Sequence, residues 1–182
     1  MTLTTYKWSI EEWHELVDSG LVEGKPVEFL EGEIIKVSPE GIEHSYTNDT
    51  VVNYLRRLLN NLAYVKESHP ITLDNSEPEP DVAVVRLPET IYRNHHPYPQ
   101  DIYWLIEISN RTLKTDLNQK RLTYARNGIP EYWAIDLINK KLIIYSKIQN
   151  DDYVQVDEYT TGTVCSLAFP NIAIALDRLL LY

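Results

Sequence analysis

This sequence predicts a mixed α/β fold of the α+β kind, a single sheet with helices packed on it. Three observations carry the prediction. Helical apolar spacing appears at 44–63 and again at 113–127, with short strand-like runs between. The run IYWLIEI at 102–108 is continuously apolar, as in a strand buried on both faces. Hairpin patterns stand at both ends of this stretch and add antiparallel strands.

In chain order, Ser9 and Glu12 form a capping box for a short first helix. Trp8 and Trp13 are spaced as a hydrophobic staple around it. Ile10, Trp13 and Val17 mark its apolar face, and Gly20 ends it. VEFLEGEIIKV (27–37) reads as a hairpin turning at Glu31-Gly32, and Pro39 and Gly41 then break the chain. The second helix, 44–63, shows Val51, Leu55, Leu58 and Leu62 as a buried stripe, with His44 on the same face. Strands are expected near Ala63–Glu67, Ile71–Leu73 and Asp81–Arg86, the last after the proline-rich loop DNSEPEPD. After the strand at 102–108, a helix at 113–127 closes at Gly128 with Pro130 beyond it. EYWAID (131–136) is a buried strand, and further strands follow at 141–147 and 153–159. The apolar segment 173–181 should pack on the core. Neither a repeat nor a long linker divides the chain, so 1–182 reads as one domain with its core at about 27–147.

The 182 residues carry 17 Lys+Arg and 27 Asp+Glu, a net charge of −10. That balance argues against a non-specific nucleic-acid coat. The charge is uneven, however. Residues 1–50 hold eleven acids and three bases, whereas 111–147 hold eight bases and three acids. An acidic chain with one basic segment can meet a polyanion on one face. One cysteine, Cys165, excludes an intrachain disulfide and a cysteine-rich zinc site, and fits a reducing, cytoplasmic compartment. The N-terminal stretch lacks the apolar core of a secretory signal, and no run is long enough to span a membrane. Neither a nucleophile motif nor a glycine-rich phosphate loop supports a small-molecule hydrolase. His95-His96 lacks a second ligand pair at metal spacing and reads as surface.

Two acids stand out. Asp81 opens a strand directly after Pro80, which cannot donate to a sheet ladder. Glu107 lies inside the most apolar run of the chain, where an unpartnered carboxylate is costly. It therefore pairs with a cation, binds a metal, is protonated, or points out at the strand end. Strand alternation puts Tyr103, Leu105, Glu107 and Ser109 on one face. Two carboxylates on adjacent strands suit a hard divalent cation such as Mg²⁺. Leu113, Leu117 and Tyr124 define the buried stripe of the 113–127 helix, so Lys120 and Arg121 flank it and either can lean inward. Asp116, one turn before Lys120, can pair with it.

The set PD (80–81), EIS (107–109), DLNQK (116–120) and GIPEYWAID (128–136) resembles the Uma-type restriction-endonuclease-like proteins, numerous in cyanobacteria, within the PD-(D/E)xK nuclease superfamily. The resemblance spans about 27–147. It implies a restriction-endonuclease-like α-β-β-β-α-β core, here with an added N-terminal helix and hairpin and C-terminal strands. It implies Mg²⁺ or Mn²⁺ held by Asp81, Glu107 and the backbone carbonyl of Ile108. The family lysine stands two residues after the glutamate, where this chain has Ser109, and the resemblance implies that Lys120 takes its place. Glu28, Glu33 and His44 match accessory positions, with Ser109 and Asp116 beside them. A metal-dependent DNA endonuclease is then expected, acting as a homodimer, with Asp81, Glu107 and Lys120 as its catalytic set. Arg111, Lys114, Lys120, Arg121 and Arg126 would form the DNA-facing basic surface. The alternative is a catalytically inactive nuclease fold serving as a binding or assembly module.

Overall fold

The computed structural model describes residues 3–109 and 116–181, with Asp116 and Leu117 described through their backbone only. Helix α1 (Ile10–Asp18) starts on the capping box. The Ser9 hydroxyl accepts the Glu12 N–H, and the Glu12 carboxylate accepts the Ser9 N–H. The expected staple and apolar stripe do not form. Trp8 sits edge-on to Tyr6, Val17 is exposed, and only Trp13 is buried, stacked on Phe29 with ring centroids 5.3 Å apart. One aromatic anchor therefore docks this helix.

Strands β1 (Val27–Leu30) and β2 (Glu33–Lys36) form the expected hairpin. Its turn residues Glu31 and Gly32 both have positive φ, 50° and 76°, as a two-residue turn between right-twisted strands requires. Helix α2 runs Ile42–Leu58 and is shorter than expected. The stripe is Val51, Val52, Leu55 and Leu59, while Leu62 is exposed. The chain leaves the helix through Asn61, at φ 63°, so that Ala63 and Val65 can enter the sheet core.

Six strands make the main sheet: β3 (Tyr64–Glu67), β4 (Val82–Val85), β5 (Ile102–Ser109), β6 (Glu131–Asp136), β7 (Lys141–Gln149) and β8 (Asp152–Tyr159), in that spatial order. Every pairing is antiparallel except β5 with β6, which α3 (Asp116–Arg126) connects. The run α2-β3-β4-β5-α3-β6 is the α-β-β-β-α-β core, with α1 and the hairpin before it and further strands after it. Ile71–Leu73 is buried but is not a strand. Its three N–H groups bond to the carbonyls of Pro78, Pro97 and Ser76, each in an irregular segment, so the backbone is satisfied without a ladder. Two short strands, β9 (Thr163–Val164) and β10 (Ile174–Ala175), and the one-turn α4 (Asp177–Leu180) finish the chain.

Two apolar layers flank the sheet. On one side α2 and the C-terminal Ile174, Leu176, Leu179 and Leu180 pack on Trp104, Ile106, Trp133 and Ile135. On the other, Tyr124, Ala125 and Ile129 of α3 and the turn after it, with Ile71 and Leu73, pack on Ala83, Leu105, Tyr132 and Ala134. Alternation along β5 is broken once. Val84 pairs with Trp104 but Val85 pairs with Ile102, a bulge that sends Tyr103 to the α2 side and not to the face of Leu105. Beyond the bulge the period resumes.

Candidate metal and phosphodiester site

Antiparallel pairing of β4 with β5 brings the start of one strand beside the end of the other. Val82 lies opposite Ile106, so Asp81 and Glu107 become neighbours. Asp81 lies one strand in from the sheet edge and is buried. Its Oδ2 accepts the Ile108 N–H at 2.5 Å and faces His44 Nε2 at 3.1 Å. Those two donors, one from β5 and one from the first turn of α2, fix the carboxylate.

Glu107 is buried on the face covered by α3. Its Oε1 accepts from Lys120 Nζ at 3.0 Å and from the Tyr124 hydroxyl at 2.7 Å. The two donors are four residues apart on α3, so they lie on one helix face. Lys120 Nζ also lies 3.5 Å from Glu28 Oε2, on β1. Of the ways a buried glutamate can be tolerated, the cation partner is the one realised here.

The electrostatics are strained toward a cation. Burial pushes the Glu107 carboxyl up to about 7, Lys120 pulls it back, and the charges of Asp81 and Glu28 push it further up. Burial works against the Lys120 ammonium, but Glu107, Glu28 and Asp81 outweigh it and hold its pKa above the ordinary lysine value. Burial likewise lowers His44, and Asp81, Glu40 and Glu107 outweigh it and raise it. Burial, then the charge of Glu28, raises Glu79 at the rim. Glu28, Glu79, Asp81 and Glu107 thus crowd around Lys120, and Asp81, Glu40 and Glu107 around His44. Among the described residues, the buried Glu28 Oε2 has no hydrogen-bond donor; its 3.5 Å approach to Lys120 is an ion-pair distance only. A crowd of carboxylates with an orphaned buried oxygen fits a hard divalent cation.

A second grouping shares Asp81. Ligand atoms of Glu40, His44 and Asp81 all lie within 4.8 Å of one another, with Glu40 Oε2 3.4 Å from His44 Nδ1. Glu107 is not part of that grouping. An imidazole beside two carboxylates would admit a borderline transition-metal ion as well as a hard one.

Asp81, Glu107, Lys120, Glu28, His44 and the Ile108 backbone therefore come together. Ser109 ends β5, buried, with its carbonyl accepting from Leu137. Glu33 does not join them: it is on the outer strand of the hairpin, where Lys7 holds it at 2.7 Å. Arg121 pairs with Asp152 and lies over the Tyr145 ring, and Arg126 pairs with Glu31 at 2.6 Å. Both guanidinium groups thus have a carboxylate partner within the fold. The expected Asp116–Lys120 pair falls outside the described side chains, as do Arg111 and Lys114. Sequence reasoning missed Glu40, Glu79 and the hydrogen bond of Tyr124. Glu79 sits in the same EPEPD run as Asp81, and Tyr124 lies one turn after Lys120, so both spacings were readable.

A family model described as Uma2, "Putative restriction endonuclease", matches residues 10–177. Among solved structures, one titled a putative nuclease belonging to DUF820 from Anabaena variabilis superposes with a TM-score of 0.69 at 20% identity, covering 90% of this chain and 96% of its own. That likeness shows the fold. No protein among the curated ones is a significant match.

Proposed function

The chain belongs to the Uma2 family of restriction-endonuclease-like proteins, and we propose that it is a divalent-cation-dependent endonuclease hydrolysing phosphodiester bonds of DNA. The observation that carries the reading is Lys120 Nζ at 3.0 Å from Glu107 Oε1, at the strand end where Asp81 also lies. An acid pair and a lysine thus converge from β4, β5 and α3, although position 109 holds serine.

In this reading Asp81, Glu107 and the Ile108 carbonyl hold Mg²⁺ or Mn²⁺. The bound ion supplies an acidified water and offsets the charge that builds on the phosphate. The chain's own groups do the rest. The Ile108 N–H keeps Asp81 oriented. The Tyr124 hydroxyl and Lys120 fix the Glu107 rotamer. Lys120 stays protonated and offers its remaining N–H groups to the attacking water or to a non-bridging phosphate oxygen. Two such sites brought together in a homodimer would cut both strands of a duplex in one encounter. The single cysteine favours a reducing, cytoplasmic setting. Among the described residues no helix is long and apolar enough to cross a membrane.

The test is cleavage of plasmid and linear DNA with Mg²⁺, Mn²⁺ or a chelator, for wild type and for Asp81→Ala, Glu107→Ala and Lys120→Ala. Metal-dependent cutting lost in all three supports the assignment. Cutting retained in Lys120→Ala removes the lysine from it. One observation favours the inactive binding module: Ser109 stands where the family has its lysine. Metal binding without cutting on any DNA would select that module.

A further inference from the structure

Arg121 and Arg126 are each held in an ion pair, and Lys66, on β3, offers a further cation for the phosphate next to the scissile one. It pairs across the sheet with Ala83, which pairs with Leu105, so it stands on the face of Leu105 and Glu107, two strands and one pleat from Glu107 and one strand and one pleat from Asp81. Its ammonium is half-buried and lies 5.5 Å from the Tyr92 ring centroid and 6.0 Å from that of Tyr64. The two rings are stacked on each other, 6.2 Å apart, and the Tyr92 hydroxyl donates to the Arg86 carbonyl, so the platform is fixed. Among the described residues no carboxylate lies within ion-pair distance of Lys66, whereas Lys7, Lys120 and Lys141 each have one. Burial holds its pKa below the ordinary lysine value, so an incoming anion restores what burial removes. His95 and His96, half-buried and not simply surface, continue the wall: His95 stacks on Tyr98 at 4.8 Å and meets Tyr92 edge-on.

We propose that Lys66, seated on Tyr64 and Tyr92, is the phosphate-contacting subsite for the DNA strand leaving the Asp81/Glu107 cleft toward β3. The proposal rests on the nuclease reading above. A half-buried ammonium fixed over aromatic rings, with no internal counter-ion, loses little water and little rotamer freedom when a phosphate arrives.

The test is binding of fluorescently labelled DNA in Ca²⁺ over a range of salt, for the wild type, Lys66→Ala, Lys66→Arg and Arg57→Ala. Arg57 lies on α2, over the opposite sheet face. Lys66→Ala should weaken binding several-fold at low salt and lower the slope of log affinity against log salt by about 0.7–0.9, one phosphate contact. Lys66→Arg should keep the slope, and Arg57→Ala should leave it unchanged. Wild-type slope in Lys66→Ala, or an equal drop in Arg57→Ala, overturns the subsite and leaves the nuclease reading intact. Wild-type protein that neither binds nor cuts DNA overturns both.

Discussion

Glu107→Gln should make the metal-free protein more stable at pH 8 while abolishing its cleavage. The carboxyl is pushed from its ordinary 4.5 to about 7, first by burial. Below pH 4.5 the group is protonated in the folded and unfolded states alike and has no effect. Between 4.5 and about 7 the unfolded chain gives up this proton and the folded chain resists, so stability falls as pH rises. Above 7 the loss levels off at on the order of 3 kcal/mol, from 1.36 kcal/mol per pKa unit. Glutamine mimics the protonated acid, still accepting from Lys120 and Tyr124, and does not titrate. Urea unfolding in chelator at pH 5 and pH 8 reads the effect. Wild type should lose stability between the two, and Glu107→Gln should lose less, keeping only the slopes of groups such as His44 and Glu79, and be the more stable at pH 8. For a chain of this size the gap corresponds to roughly 6–12 °C in Tm. A wild type equally stable at both pH values, or a glutamine variant less stable at pH 8, would refute the electrostatic account. Saturating Mn²⁺ should close the gap, because the ion does for the carboxylate what protonation does.

Further outcomes follow from particular contacts. His44→Ala removes one holder of Asp81 and one member of the Glu40–His44–Asp81 grouping. Mn²⁺ affinity by calorimetry should fall about 10–100-fold, as for loss of a group that orients a ligand; unchanged affinity would remove His44 from the site. Glu77 accepts from Trp13 Nε1 at 3.1 Å and Thr72 Oγ1 at 2.8 Å, and its Oε2 lies 2.7 Å from His14 Nε2. Glu77→Ala should cost about 1–3 kcal/mol through stranded buried donors, with faster hydrogen exchange confined to α1 and its surroundings. Gly32→Ala should cost about 1–2 kcal/mol in urea unfolding, because φ is 76° and the added Cβ would lie 3.0 Å from Lys7 Cβ and 3.1 Å from the Trp8 carbonyl; a neutral result would mean that the turn relaxes freely. In a Lys120→Ala background, Ser109→Lys should restore part of the lost cleavage, since position 109 lies one pleat from Glu107 on the same strand face.

The sheet elements were readable because their residues say one thing only. IYWLIEI and EYWAID lack the spacing of an amphipathic helix, and Glu31-Gly32 fits a tight hairpin turn. The errors fell where tertiary packing decides. Leu62 has helical spacing, but the chain must leave α2 to bring Ala63 and Val65 into the sheet. Ile71–Leu73 is apolar enough for a strand, yet its N–H partners are loop carbonyls. Tyr103 breaks the alternation through a bulge, which needs the partner strand to be seen. In the site, Asp81, Glu107 and Lys120 were identifiable as unusual by position and by resemblance. That Lys120 reaches Glu107 and Arg121 reaches Asp152 was not, because both flank the helix stripe. The counter-ions Asp152 and Glu31, distant in sequence, draw Arg121 and Arg126 away. Lys66 carried no sequence signal; its character comes from Tyr92, on the short 3-10 helix Glu89–Arg93 that folds over β3.

The most direct measurement is DNA cleavage by the purified protein in Mn²⁺ and in chelator, with Asp81→Ala and Lys120→Ala beside the wild type. The account predicts cutting by the wild type in Mn²⁺ alone and by neither variant. Cutting that persists in the chelator or in Asp81→Ala, or wild-type protein that binds Mn²⁺ and leaves every DNA intact, would contradict it.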